Sequence, residues 1–230
     1  MQLKGFLWYQ GESDASPRRE EAIQSASKYE DLLQRLITSW RESFKQELPF
    51  YFVQLPEFKK VTHNAIEMND EWAMIRPSML RASQTIDNTH MAITLGLGQA
   101  DDVHPIHKRG VGRRLGLLAL YHTYNHKLPY SGPRFVSAQF SASRQEATLL
   151  FDTGGADLAL EGNTSSLNGF AALDSEGLTI SVKAQITACN TVTVTANSPM
   201  QSIFYAWAAN PQQANLANTA HLPASPFSAQ

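Results

Sequence analysis

Short apolar runs alternate with longer stretches of helical period through the first half of the chain. Gly5 to Tyr9 is apolar and aromatic between polar neighbours, and it reads as a strand buried on both faces. From Arg19 to Phe44, the residues Ile23, Ala26, Tyr29, Leu33, Leu36, Ile37, Trp40 and Phe44 recur at steps of three and four, which is the stripe of an amphipathic helix. Phe50 to Leu55 predicts a second strand, stopped by Pro56. Residues 57–70 are polar without a period and predict a loop. Glu71 to Ile86 predicts a helix that Pro77 kinks or splits. Met91 to Leu97 predicts a third strand, followed by a polar loop from Gly98 to His104. Pro105 suits a first helical turn, where its missing N–H costs nothing. That helix is expected to run to about Tyr124, with Val111, Leu115, Leu118 and Tyr121 or His122 on one face.

The order βαβαβα with apolar strands predicts an α/β fold, a parallel sheet with right-handed crossovers and flanking helices. Ligands of such sheets sit at the carboxyl ends of the strands. Two polar clusters fall at those ends, Gln10 to Asp14 and Asp101 to Pro105.

The pattern changes at Leu128. Pro129, Gly132 and Pro133 act as punctuation. Beyond Arg134 the helical period is gone, and Ala147–Phe151, Leu178–Val182 and Val192–Ala196 alternate apolar residues with Thr or Ser. Turns rich in Gly, Asn and Asp separate them, as in an antiparallel sandwich. The expected organisation is an α/β domain over 1–128, a small antiparallel β domain over 129–209, and an irregular tail over 210–230 that packs on the body.

A composition of 43% hydrophobic and 17% charged residues fits a globular chain, and the net charge of -2 gathers neither nucleic acid nor an anionic membrane. No run reaches the ~20 apolar residues that span a bilayer, and no signal peptide is visible. Met1 leads almost directly into the first strand, so the N-terminus reads as cut or as an internal start. The single cysteine, Cys189, excludes an internal disulfide and reads as a small core residue. No glycine spacing suits a phosphate, and no internal repeat is present.

Histidine is a side chain suited to moving protons at physiological pH, and His104 is a candidate proton carrier. Asp101 or Asp102 is placed to orient its imidazole; the competing reading makes His104 part of a helix cap and the aspartates compensation for the helix dipole. Asp102 and His104 could ligate a metal, but His107, His63 and His90 make no convincing partner set, so neither metal nor cofactor is expected. In the first cluster, Gln10 and Gly11 are candidate oxyanion donors, and Glu12 a support for a histidine. Ser13 is a candidate nucleophile or substrate contact, although the G-x-S-x-G spacing is not met. Trp8, Tyr9 and Trp207 are either sugar-stacking aromatics or core.

Gly5-Phe-Leu-Trp-Tyr-Gln-Gly-Glu-Ser-Asp-Ala15 resembles the W-Y-Q-G-E-S-[ND]-A block of the sialate O-acetylesterase family, carbohydrate esterases of the SGNH-hydrolase superfamily. Further blocks follow in order. The helix from Tyr29 to Trp40, the strand Pro49-Phe-Tyr-Phe-Val-Gln-Leu55 and the segment Leu80-Arg-Ala-Ser-Gln84 each resemble family segments. Asp102-Val-His-Pro105 with Lys108, Gly112, Arg114, Leu115 and Ala119 looks like the D-I-H-P-x-x-K-x-x-x-G-x-R-L-x-x-x-A block. Trp207, Asn210-Pro211, Asn215-Leu216, Asn218 and Leu222-Pro-Ala-Ser-Pro-Phe227 resemble the C-terminal segment.

The resemblance implies an SGNH-hydrolase, flavodoxin-like fold and a serine esterase that removes acetyl groups from sialic acid or another O-acetyl sugar. His104 matches the family histidine. The orienting acid falls on Asp101 by the superfamily spacing, on Asp102 by this family's own block, and on Glu12 by assignments in related esterases. Gln10 and Gly11 match oxyanion and substrate contacts. The family's serine lies in a G-x-S-N-M-like block that this chain lacks, and Ser13 does not match it. The chain is thus expected to be a C-terminal part, incomplete at the N-terminus and weak or inactive alone, that pairs with an N-terminal fragment or with itself. The alternative is a non-catalytic carbohydrate-binding or interaction protein derived from such an esterase. Family analogy points to a periplasmic, secreted or lysosomal site.

Overall fold

The structure is a computed structural model that describes residues 3–15, 22–61 and 66–230. The expected helix start at Arg19, the Ile23 side chain and His63 lie outside the described residues. Three parallel strands form the first sheet: β1 (Phe6–Trp8), β2 (Phe50–Val53) and β3 (Thr89–Ala92), with β2 in the middle. Phe6 pairs with Phe50, and Phe52 with Met91.

Side chains alternate across this sheet, so its two faces carry different residues. Tyr51, Val53 and Ala92 face α4 (Lys108–His122) and pack on Val111, Leu115 and Leu118. Phe50, Phe52 and Met91 face the other layer, built from α1 (Ala22–Ser27), α2 (Tyr29–Phe44) and α3 (Glu71–Thr85). The long helix expected up to Phe44 is interrupted at Lys28, which separates α1 from α2.

Four local expectations are corrected. Leu7 is 67% exposed, so β1 is not buried on both faces; among the described residues it is an edge strand with β2 as its one hydrogen-bonded neighbour. Pro77 does not split α3, because Ile75, Arg76, Ser78 and Met79 around it are fully buried and hold the helix together. The ladder of the third strand ends at Ala92, while Ile93 and Leu95 continue inward as buried loop residues. Finally, α4 begins at Lys108 instead of Pro105. The intervening residues are held by polar bonds of their own, in which the His104 N–H donates to Asp102 Oδ1 and the Ile106 N–H donates to Gln99 Oε1.

The second half is antiparallel. One sheet contains β4 (Arg134–Phe140), β5 (Glu146–Asp152), β9 (Val182–Ala188) and β10 (Thr191–Ala196), in the order β4-β5-β10-β9. Another contains β7 (Phe170–Leu173), β8 (Thr179–Ile180), β11 (Ser202–Tyr205) and β13 (Phe227–Ala229), in the order β13-β11-β7-β8. A two-stranded pair joins β6 (Leu158–Leu160) to β12 (Leu216–Asn218). Ala147, Leu149, Val192 and Val194 from the first sheet share a core with Ile203, Tyr205 and Phe227 from the second. The Phe135 and Phe227 rings stack at 4.5 Å between them. The segment after Asn210 is more regular than expected, because Leu216, Phe227 and Ala229 are apolar enough to bury β12 and β13. Cys189 is exposed, not core, since it occupies the turn between β9 and β10, where the pairing register shifts.

Arg76 wires the halves together. Its side chain is fully buried and donates to the carbonyls of Leu55 at 2.8 Å, Pro56 at 2.5 Å, Ala208 at 2.7 Å and Ala209 at 2.9 Å. Backbone oxygens thereby replace the water that a buried guanidinium loses.

Candidate active site

The turn after β1 is built on α2 and α3. The Tyr29 hydroxyl, at the first residue of α2, donates to the Gln10 backbone carbonyl at 2.9 Å and approaches Gln10 Oε1 at 3.3 Å. Gln10 Nε2 donates to Asp14 Oδ2 at 2.6 Å. The Gln10 amide is thus tethered at both ends, with one N–H of its NH2 group left to give. Burial, ahead of the nearby carboxylates Asp14 and Glu12, pushes the Tyr29 phenol well up. It is a fixed hydroxyl donor at any ordinary pH.

Gly11 is buried at φ +140, and a Cβ there would come within 2.6 Å of Met79 Cε. Only glycine lets the chain cross the α3 surface in this conformation. The Gly11 carbonyl accepts from the Asp14 and Ala15 N–H groups at 3.0 and 3.1 Å, which closes the turn. Ser13 is exposed on it and Glu12 half-exposed. Burial first, and then Glu12, push the Tyr9 phenol up to about 12.

The loop after β3 spans residues 93–107. Glu57, just past β2, clasps it: its two carboxylate oxygens accept from the Gly96 and Gly98 N–H groups, the latter at 2.9 Å. Gly98 packs so closely that a Cβ would lie 2.2 Å from the Glu57 carbonyl oxygen. From below, Arg114 of α4 donates Nη1 to the carbonyls of Ile93 and Leu95 at 2.8 and 2.9 Å. Burial draws its guanidinium down to about 10, so it stays cationic at neutral pH.

On this clasped loop Asp102 and His104 meet. The His104 N–H donates to Asp102 Oδ1 at 2.8 Å, and His104 Nδ1 lies 4.0 Å from the same oxygen. The imidazole is 79% exposed, open to a reacting partner. Among the described residues no hydrogen bond or ion pair joins Asp101 or Glu12 to His104. Among them also, no three His, Cys, Asp or Glu side chains group as metal ligands would.

The two polar clusters are linked by Lys108, the first residue of α4, whose Nζ stands 5.0 Å from the centre of the Tyr9 ring. Tyr9 precedes Gln10, and Lys108 follows His104 by four residues, so this contact ties the exit of β1 to the loop after β3 across the end of β2. Of the three aromatics singled out, Trp207 is buried, edge-on to Phe204 at 5.1 Å. Trp8 packs on Trp40 at 5.5 Å. The sequence placed Glu57 in a loop, Tyr29 in a helical stripe and Lys108 in a family block, but gave none of them a part in the site. The pair Gly96 and Gly98, with bare amides two residues apart, was the one visible hint of a carboxylate clasp.

Comparison with known proteins adds an independent view. The family model described as carbohydrate esterase, sialic acid-specific acetylesterase, matches residues 1–116. The chain is 28% identical to the sialate O-acetylesterase of Rattus norvegicus over 166 residues, covering 66% of this chain and 29% of that protein. The Mus musculus protein of the same name is 29% identical over 166 residues, with the same coverage of 66% and 29%. A solved carbohydrate acetylesterase from Xanthomonas citri superposes with a TM-score of 0.86 at 32% identity, over 100% of this chain and 51% of that one. The chain therefore spans under a third of the length of these curated relatives and about half of the solved one.

Proposed function

The chain belongs to the carbohydrate esterase family of sialic acid-specific acetylesterases, and from that premise we propose that it carries the acid–base half of a serine-type site that removes acetyl groups from O-acetylated sugars. The observation that carries this reading is the Asp102–His104 pair, exposed at the carboxyl end of a parallel strand. The three parallel strands with helices on both faces support assigning them to an SGNH-hydrolase, flavodoxin-like sheet.

In this mechanism His104 Nε2 takes the proton of the attacking serine and returns it to the departing sugar hydroxyl. The same nitrogen then activates the water that clears the acetyl group. Asp102 faces the Nδ1 side and favours the tautomer that leaves Nε2 free to accept. Its 4.0 Å separation is within charge reach but beyond a hydrogen bond, a contact that catalytic pairs commonly tighten when substrate binds. The Gly11 N–H and the free N–H of Gln10 stand as oxyanion donors.

The serine comes from residues outside these 230. Neither G-x-S-N nor G-D-S occurs in the chain. The open edge of β1, with Leu7 exposed, supports a partner segment that adds to the sheet there. The family matches do not favour the non-catalytic alternative.

The experiment compares p-nitrophenyl acetate hydrolysis by residues 1–230 alone and by the same residues fused behind a family segment bearing the serine block. The chain alone should stay at background and the fusion should hydrolyse, with His104→Ala abolishing the gain. A rate in the chain alone that His104→Ala abolishes would overturn the missing serine. A fusion indifferent to His104→Ala would overturn the role given to that residue.

A further inference from the structure

A cleft of about 310 Å³ opens beside the clasped loop. One wall is Leu95, Gly96 and Arg114; the other comes from Glu161 and the C-terminal segment with Gln212 and His221. It lies at the carboxyl ends of β2 and β3, the ligand edge of a parallel sheet. Its volume is at the lower end of the range for small-molecule sites, room for about one sugar ring.

The lining offers unspent hydrogen-bonding groups of both kinds. Arg114 uses Nη1 on the loop carbonyls, while its Nε and Nη2 have no partner among the described residues. Glu161 meets His221 Nδ1 through Oε2 at 3.3 Å, leaving Oε1 and the far imidazole nitrogen without a partner among the described residues. The Gln212 side-chain amide has no partner among the described residues, while its backbone N–H donates to the Asn210 carbonyl at 3.0 Å. Hydroxyls of a pyranose both donate and accept, so a wall of mixed donors and acceptors satisfies them, whereas an apolar ligand would strand these groups. Charge narrows the choice. One guanidinium stands against the carboxylates of Glu57 and Glu161, a balance that repels an anionic ring and tolerates a neutral one.

We propose that this cleft is a subsite for a neutral sugar ring, separate from the acetyl-bearing ring, which seats a saccharide against the loop that carries His104. The choice of a sugar rests on the esterase reading; the neutral charge and the location rest on the cleft alone. Gly96 lies on the cleft wall and belongs to the Glu57 clasp, five residues before Asp101, so an occupied subsite bears directly on the loop.

The test titrates the 15N-labelled 230-residue chain with methyl β-D-galactopyranoside and, separately, with N-acetylneuraminic acid. The galactoside should shift the Gly96, Gln212 and His221 amides in a saturable way, and the acidic sugar should shift them less. Glu161→Gln and Gln212→Ala, both at solvent-facing positions, should each weaken binding about tenfold. Their spectra also report whether the fold survives. His104→Ala should bind the galactoside unchanged, which separates this subsite from the fate of the catalytic reading. Unmoved cleft amides, stronger shifts with the acidic sugar, or variants that bind as the parent does would each overturn the proposal.

Discussion

The backbone N–H and the Nδ1 of His104 both look toward one oxygen of Asp102, at 2.8 and 4.0 Å. A single carboxylate thus holds the loop in its turn and faces the imidazole. Asp101, next door, does neither. In the fusion that carries a serine, Asp102→Asn should lower kcat by about a hundredfold or more, with KM little changed. Asp101→Asn should stay within about threefold of the parent. Steady-state kinetics on both variants decide between the two acids, and equal losses would remove Asp102 from its role.

The same loop shows what a sequence can and cannot disclose. Strand order and helix order were legible because Phe50 to Leu55 and the stripe from Ala26 to Ile37 each bury one element against a neighbour. The burial of Ile93 and Leu95 was legible too, but not that they leave the ladder, since apolar character reports burial and not pairing. Arg76 and Glu57 were illegible. Arg76 reads as a surface cation until Ala208 and Ala209, more than 130 positions on, present their carbonyls. The Asp102–His104 pair could be seen because it is local. Its link to the β1 turn through Lys108 and Tyr9 could not, because that contact exists only once the sheet has formed.

Gly11→Ala should destabilise the chain by about 1–3 kcal/mol. Two effects compete there. The clash with Met79 is with the flexible end of a side chain and can relax, whereas φ +140 burdens any residue with a Cβ. Backbone strain should therefore dominate, and adding Met79→Ala should rescue little. Urea midpoints for the single and double variants measure this; full rescue would assign the cost to the clash.

At the opposite end of the sheet, the His90 and His122 rings stack at 3.5 Å, with Tyr51 and Tyr130 packed alongside. Burial, then His122, Arg134 and Arg41, draw His90 down to about 3, and burial followed by Arg134 lowers His122 despite the opposing Asp152. The folded values lie below the unfolded one of about 6.5, so between them the unfolded chain binds more protons. This contribution to stability is whole above pH ~6.5 and is lost as pH falls toward about 3. The loss between pH 7 and 4 should be on the order of 1–2 kcal/mol after solvent screening. His90→Phe should keep the stack and flatten the acid limb of a urea-midpoint profile. An acid limb as steep as the parent's would show that other groups set it.

Arg76 also imposes a timetable. A ribosome delivers the chain from its N-terminus, and α3 emerges long before Ala208 and Ala209 do. Until those two carbonyls exist, the guanidinium has, among the described residues, only Leu55 and Pro56 to replace its water. The α/β layer therefore completes its interior only after residue 209 has been made, and a nascent chain halted before residue 208 should remain open to protease around α3.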